Sequence, residues 1–261
     1  MTKGGAQPNG EGPFHHPGDD GLERVAVITD IHANLSALEA VLEAIRWLDV
    51  DELYCGGDLI DYGPRPNEVC RLIEERRIPT IYGNYDWAIA RDRLECGCAY
   101  VTEHDRALGQ RSVAWILAHT DRHSKHFMHR LPFDLRFRMG GRRLRLVHGS
   151  PRKVNEYLFA DKPARTFERI ARAADCDVLV FGHTHQPWVH EYGGVLFVNC
   201  GAVGRPKDGD ARAAFALLEL NEAGEVHASI ERVPYDAAAV ARDLAAAGLP
   251  NEYAAKLVAA A

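Results

Sequence analysis

The chain has 261 residues, 46% apolar and 26% charged, with a formal net charge of −6. That suffices for one large domain or two small ones with a real core, and the mild acidity argues against general attraction to nucleic-acid duplexes or anionic membranes. No stretch approaches the roughly 20 apolar residues of a membrane span and no apolar signal segment follows the N-terminus, so the expected location is the cytoplasm.

Residues 1–22 are rich in Gly, Pro and polar side chains. They predict a disordered extension, with His15 and His16 solvated, ahead of a single domain over 23–261. Order begins at ERVAVITD, where Val25, Val27 and Ile28 predict a short buried strand. The run NLSALEAVLEAIRWL carries Leu38, Val41, Leu42, Ile45 and Leu48 at helical spacing, and Asn34 or Ser36 can cap it. ELYC predicts a second strand, PNEVCRLIEERR a helix with proline in its first turn, and PTIYG a third strand. Strand and helix alternate, which predicts a parallel βαβαβ opening.

From about 87 to 131 the pattern turns helical and less regular, which predicts a helical insertion. Within it His119, His123, His126 and His129 recur beside Arg122, Lys125 and Arg130, and a solvated face is expected. Beyond it DLRFRMGGRRLRLVHGS predicts a hairpin turning at Gly140-Gly141, and CDVLVFGHTH a strand running into a loop. PWVHEYGGVLFVN and the 24 residues from Arg212 predict two more hairpins. Two alanine-rich helices close the chain. Six cysteines are spread thinly, and only Cys96-Gly97-Cys98 is close-spaced. With no second pair to complete a zinc site, free thiols in a reducing compartment are expected.

Seven polar residues stand just past apolar runs: Asp30, His32, Asp58, Asn84, His148, His183 and His185. Ligands of open α/β sheets gather outside the carboxyl ends of the strands, so all seven can face one crevice. Alone, Asp-x-His or Gly-Asn-x-Asp reads as a cap or a turn. Gly-His-Thr-His is stronger, because two histidines buried after VLVF need partners. Seven ligands exceed the needs of one ion and suit two that share a bridging carboxylate. Imidazole, carboxylate and amide oxygen without thiolate suit Mn²⁺, Fe or Zn²⁺. Two such ions can hold a bridging hydroxide that attacks phosphorus while they grip the phosphoryl oxygens.

These residues fall into motifs that resemble the calcineurin-like metallophosphoesterases: Asp30-Ile31-His32, Gly57-Asp58-Leu59-Ile60-Asp61, Gly83-Asn84-Tyr85-Asp86, His148-Gly149 and Gly182-His183-Thr184-His185. The resemblance covers about residues 23–235. HANLSALEAVL, GDLIDYGPRPNEV and NCGAVGRPKDGD are similar to the small bacterial phosphodiesterase-like branch. The resemblance implies a four-layer α/β/β/α sandwich with two mixed sheets. It also implies two divalent cations, Mn²⁺ first, with Fe or Zn²⁺ compatible. One would be held by Asp30, His32, Asp58 and His185, the other by Asp58, Asn84, His148 and His183, with Asp58 as the bridge.

Well-known members of that family carry histidine where this chain has Tyr85, and Asp86 would orient that side chain. A phenol with pKa near 10 keeps its proton at neutral pH and is a weaker general acid than imidazolium. The departure points to phosphodiesters or other small, nucleotide-like substrates whose leaving group needs little protonation. Arg152 and Arg205 are candidate grips for a non-bridging oxygen, and Asn34 either touches substrate or caps a helix. Asp61 is expected to be a turn residue or a supporting partner. Asp58, Asn84, Tyr85 and Asp86 form the candidate catalytic set. The alternatives are a phosphatase acting on dinucleoside polyphosphates or phosphoproteins, and a metal-binding scaffold without turnover.

Overall fold

Alternation along the first strand sets the layering. In β1 (Arg24–Ile28), Val25 and Val27 face one way and Ala26 and Ile28 the other. The first pair joins a core between two sheets, and the second a core between sheet and helices. The computed structural model describes residues 21–100 and 102–261. Most of the extension expected to be disordered, His15 and His16 included, lies outside the described residues, whereas Leu22 packs into the inter-sheet core.

In α1 (Leu35–Ile45), Ala37, Leu38, Val41 and Ile45 are buried at helical spacing. β2 (Glu52–Cys55) pairs in parallel with β1, and α2 (Pro66–Glu75) returns across the same face. The expected third strand is reduced to one bridge, Thr80 against Cys55. Cys55 N–H donates to the Pro79 carbonyl and Ile81 N–H to the Cys55 carbonyl, but Tyr82 N–H leaves for the Pro132 carbonyl. The chain therefore peels away from β2 after one rung.

The helical stretch starts earlier than the sequence pattern predicts, and comprises α3 (Asn84–Ile89), α4 (Glu103–His119) and α5 (Arg122–His129). The four histidines divide between α4 and α5 and are all exposed. His119 stacks on Trp115 at 3.9 Å, and His123 meets Glu74 at 2.6 Å. β3 (Asp134–Met139) and β4 (Arg142–Val147) form the expected hairpin.

α6 (Ala164–Ala174) has no counterpart in the expectations above, although Phe167, Ile170, Ala171 and Ala174 recur as its buried stripe. β5 (Val178–Phe181) lies parallel to β4. β6 (Trp188–Tyr192) and β7 (Val195–Asn199) form the second hairpin, with β7 parallel to β5. β8 (Ala213–Leu220) and β9 (Val226–Val233) form the third, and α7 (Ala237–Ala246) and α8 (Asn251–Ala259) close the chain.

The strands make two mixed sheets, β2-β1-β8-β9 and β3-β4-β5-β7-β6. α1 to α5 cover the outer face of the first sheet, and α6 covers that of the second. This is the four-layer α/β/β/α sandwich. β5 shows why both sheets are doubly buried: Val178 and Val180 enter the inter-sheet core, and Leu179 and Phe181 the α6 core. Phe167 anchors α6, stacked on Tyr192 at 4.4 Å and edge-on to Phe197 at 5.5 Å. Its truncation to alanine would cost about 3–5 kcal/mol. Among the described residues no helix is long and apolar enough to cross a membrane.

Candidate metal centre

β1 and β2 are parallel, as are β4 and β5, and the loops at their carboxyl ends deliver the polar side chains. Asp30 and His32 follow β1, Asp58 follows β2, His148 follows β4, and His183 and His185 follow β5. Asn84 is the first residue of α3. All seven are buried. Asp30, His32, Asp58, His183 and His185 adopt left-handed backbone, with φ between 51° and 68°. Strain of this kind persists only where the surroundings over-determine it. Close approach also matters, since a Cβ at Gly83 would lie 2.0 Å from Asp58 Oδ1 and one at Gly182 2.3 Å from Asp30 Oδ2.

The donor atoms assemble into two groups, Asp30–His32–His185 and Asp58–His148–His183. In the first, His32 Nε2 and His185 Nε2 stand 3.1 Å apart, and Asp30 Oδ1 lies 3.6 and 3.2 Å from them. In the second, His148 Nε2 is 3.2 Å from Asp58 Oδ2 and 3.2 Å from Asn84 Oδ1. Asp58 Oδ2 also lies 3.9 Å from His32 Nε2, so this carboxylate stands between the groups.

Hydrogen bonds outside the groups fix which atoms face inward. Nδ1 of His32, His148 and His185 lies 3.0, 2.9 and 2.7 Å from the carbonyls of Ile60, Gly56 and Arg205. Carbonyls only accept, so each Nδ1 carries a proton and each Nε2 faces inward, where a deprotonated ring offers a lone pair. The Asn84 amide donates from Nδ2 to the Cys96 carbonyl and to Cys98 Sγ, at 3.2 and 3.3 Å, which leaves Oδ1 facing His148. With Nε2 unprotonated, acceptor would face acceptor in both groups, and Asp30 Oδ1 and His183 Nε2 are buried without a hydrogen-bond partner. Such contacts are repulsive unless a cation lies among them. Donors about 2.0–2.1 Å from a tetrahedral ion stand roughly 3.3 Å from one another, close to the separations here. The donor set fits a pair of divalent cations.

Electrostatics agree. Burial works to raise the Asp30 carboxyl, but His185 and His32 outweigh it and hold it well below the usual range. Burial and Lys207 push His185 down to about 3, and burial and His148 push His183 down, so both rings stay neutral donors. Burial would also lower His148, yet Asp58 and Asp30 lift it to about 10. A place that draws a proton onto a buried imidazole favours positive charge.

The other expected residues divide. Tyr85 is buried, with its ring 5.8 Å from His32 and its hydroxyl 2.5 Å from that of Tyr62. Burial and the neighbouring Cys98 push its phenol well above the ordinary value. Asp86 does not orient Tyr85: its two oxygens accept from Leu59 N–H and Gly83 N–H, both at 2.9 Å, and tie the Asp58 loop to the Asn84 loop. Asn34 caps α1 through Ala37 N–H at 3.1 Å, and its amide donates to the Gly204 carbonyl at 2.9 Å. Arg152 is engaged by Glu156. Arg205 is buried beside the first group, 3.9 Å over the Tyr62 ring and 5.1 Å from that of Tyr253, with Nε unpartnered. Asp61 accepts from Ser112 Oγ at 2.7 Å, and burial raises its carboxyl to about 6.

Three tyrosines have no counterpart in the expectations: Tyr62, Tyr253 and Tyr157, the last 4.0 Å from the His183 ring. Only Tyr62 carries a sequence signal, its place directly after the Gly-Asp-x-x-Asp run. Tyr253 arrives on α8, far along the chain, and lines a small cleft with Tyr62, Arg205 and His32.

Comparison with known proteins agrees with this architecture. Residues 24–223 match the calcineurin-like phosphoesterase superfamily domain. The chain is 28% identical over 230 residues to the uncharacterized protein MJ0912 of Methanocaldococcus jannaschii, covering 81% of this chain and 88% of that one. It is 26% identical over 208 residues to the phosphodiesterase YfcE of Escherichia coli, covering 76% and 88%. Among solved structures, a metallophosphoesterase from Sphaerobacter thermophilus superposes with a TM-score of 0.74 at 29% identity, over 92% of this chain and all of that one.

Proposed function

The chain belongs to the calcineurin-like phosphoesterase superfamily and is a phosphoester hydrolase, and on that premise we propose that it cleaves small phosphodiesters with two divalent cations. The observation that carries this reading is the pair of acceptor-lined groups on either side of Asp58. Asp30, His32, Asp58 and His185 would hold one cation, and Asp58, Asn84, His148 and His183 the other. Imidazole, carboxylate and amide donors suit Mn²⁺, with Fe and Zn²⁺ compatible. When bound, the pair supplies the Lewis acidity that activates water and neutralises charge on the phosphoryl oxygens.

The remaining tasks fall to the chain's own groups. The carbonyls of Ile60, Gly56 and Arg205 keep three imidazoles in the tautomer that donates from Nε2. Of the three expected substrate contacts, Arg205 is the one with a buried donor to give, and a guanidinium beside the first group suits a non-bridging phosphoryl oxygen. Tyr85 and Tyr62 share a hydrogen bond and stay protonated at neutral pH. They can steady an oxygen but are poor proton sources. That supports substrates whose leaving group departs without a strong acid, and hence a phosphodiester.

The test is metal analysis of protein purified without added metal, paired with turnover of bis-nitrophenyl phosphate and nitrophenyl phosphate. Two metal equivalents per chain and faster hydrolysis of the diester are expected. Bound metal without turnover across a broad ester panel would overturn the reading in favour of a scaffold.

A further inference from the structure

The loop between α3 and α4 carries two free cysteines that the hydrolytic reading leaves without a task. Cys96 and Cys98 are two apart, and in extended chain their sulfurs would share a face without touching. Gly97 changes that. It adopts φ +73°, a Cβ there would meet Asn155 Nδ2 at 2.5 Å, and its carbonyl accepts from that same amide at 2.8 Å. The tight turn so pinned brings the two sulfurs to 2.7 Å, one thiol against the other. Cys96 is buried, Cys98 is half-buried, and residues 92–95, 97 and 99 around them are exposed. A small oxidant can reach the pair.

The same loop holds Asn84. Both hydrogens of its amide are used there, on the Cys96 carbonyl and on Cys98 Sγ, and these two bonds aim Oδ1 at His148 Nε2. We propose that Cys96 and Cys98 are a modification site, closing to a disulfide with a peroxide as oxidant and loosening Asn84 as they do. The chemistry balances. The Cys98 sulfur attacks one peroxide oxygen, the O–O bond breaks, and water leaves as the sulfur becomes a sulfenic acid. The Cys96 sulfur then attacks the Cys98 sulfur, the S–O bond breaks, and a second water leaves with the thiol proton. Two electrons pass from the thiol pair to the peroxide, and a thiol reductant returns them. In the disulfide Cys98 Sγ is bonded to sulfur and turned toward Cys96, so one of the two bonds that orient Asn84 is lost. Loss of such a supporting contact typically costs 10–100-fold in metal affinity or activity. The effect on metal rests on Asn84 serving as a ligand; the disulfide itself does not.

The test uses the manganese-loaded enzyme before and after hydrogen peroxide, then after dithiothreitol. Peptide mapping should find Cys96 joined to Cys98, with two hydrogens lost from the intact mass. Turnover of bis-nitrophenyl phosphate should fall about tenfold and recover on reduction, and the oxidised protein should surrender one metal equivalent to a chelator sooner. Cys98→Ser removes the thiol that peroxide attacks, so its own rate should ignore peroxide, whereas Cys96→Ser, whose side chain Asn84 does not meet, should retain the basal rate and form no internal disulfide. Absence of the Cys96–Cys98 link, a link that changes neither rate nor metal retention, or a Cys98→Ser variant as peroxide-sensitive as the wild type would overturn the proposal. A reduced enzyme that turns over no ester would instead count against the hydrolytic reading, since mapping and metal retention still decide this one.

Discussion

The two donor groups around Asp58 differ in what holds them. In the first, His32 and His185 are both anchored by backbone carbonyls, and Asp30 Oδ2 accepts from Thr29 Oγ1 and from His183 N–H, both at 2.9 Å. In the second, His148 is anchored by the Gly56 carbonyl. His183 lies against the Tyr157 ring, and Asn84 is held by the Cys96 carbonyl and Cys98 Sγ, in a stretch whose residues 92–95, 97 and 99 are exposed. The carbonyls that anchor the first group belong to the buried residues Ile60 and Arg205, whereas the support of Asn84 comes from a stretch largely open to solvent and can be lost locally. The first group is therefore the fixed half of the centre and the second the adjustable half.

Asp58→Asn should break the comparison altogether, because it removes the carboxylate common to both halves. Activity should fall by more than the roughly 100-fold that loss of a supporting contact costs, and metal analysis should show both equivalents depleted. Full metal and full activity would remove Asp58 from the bridge. The halves separate next under a chelator. Wild-type protein should lose one equivalent well before the other, and His183→Ala should retain the slow one while His185→Ala retains the fast one. Equal release rates from both sites would erase the distinction.

A pH series then probes the ground beneath the first group. Burial raises Asp61 to about 6, so the folded chain holds that proton more tightly than the unfolded chain does. Its stabilising contribution is complete below the ordinary carboxylate value and is lost as pH rises through about 6, a change of about 3 kcal/mol. Asparagine carries no such dependence and still accepts from Ser112. The melting temperature of metal-free Asp61→Asn should therefore rise relative to wild type between pH 4 and 7, and a constant difference would contradict this. Tyr85→Phe should have the smallest effect. It removes one hydrogen bond worth about 1 kcal/mol, or about fivefold in diester turnover, whereas a loss of 100-fold would make the phenol a true acid catalyst.

Much of this arrangement was legible in the sequence because strand ends are marked by abrupt changes of polarity. VLVF followed by Gly-His-Thr-His identifies both a buried strand and the pair of rings at its end. The third strand was misread because PTIYG has strand composition, yet the pairing of Tyr82 N–H with Pro132 is a long-range fact that composition does not carry. α6 had a readable stripe in Phe167, Ile170 and Ala174. The carbonyl anchors of the histidines had no signal at all, because every residue type has a carbonyl and only the fold decides where it points. Asp86 was misplaced for a related reason: its neighbour in sequence is Tyr85, but its partners are amides of Leu59 and Gly83.

The left-handed backbone at Asp30, His32, Asp58, His183 and His185 carries a consequence for the evolution of the chain. Glycine at any of these positions would relax the loop and delete a candidate cation donor in one substitution. Backbone strain and the side chains of the centre thus reside in the same five codons, so that the loops cannot relax at any of them without loss to the site.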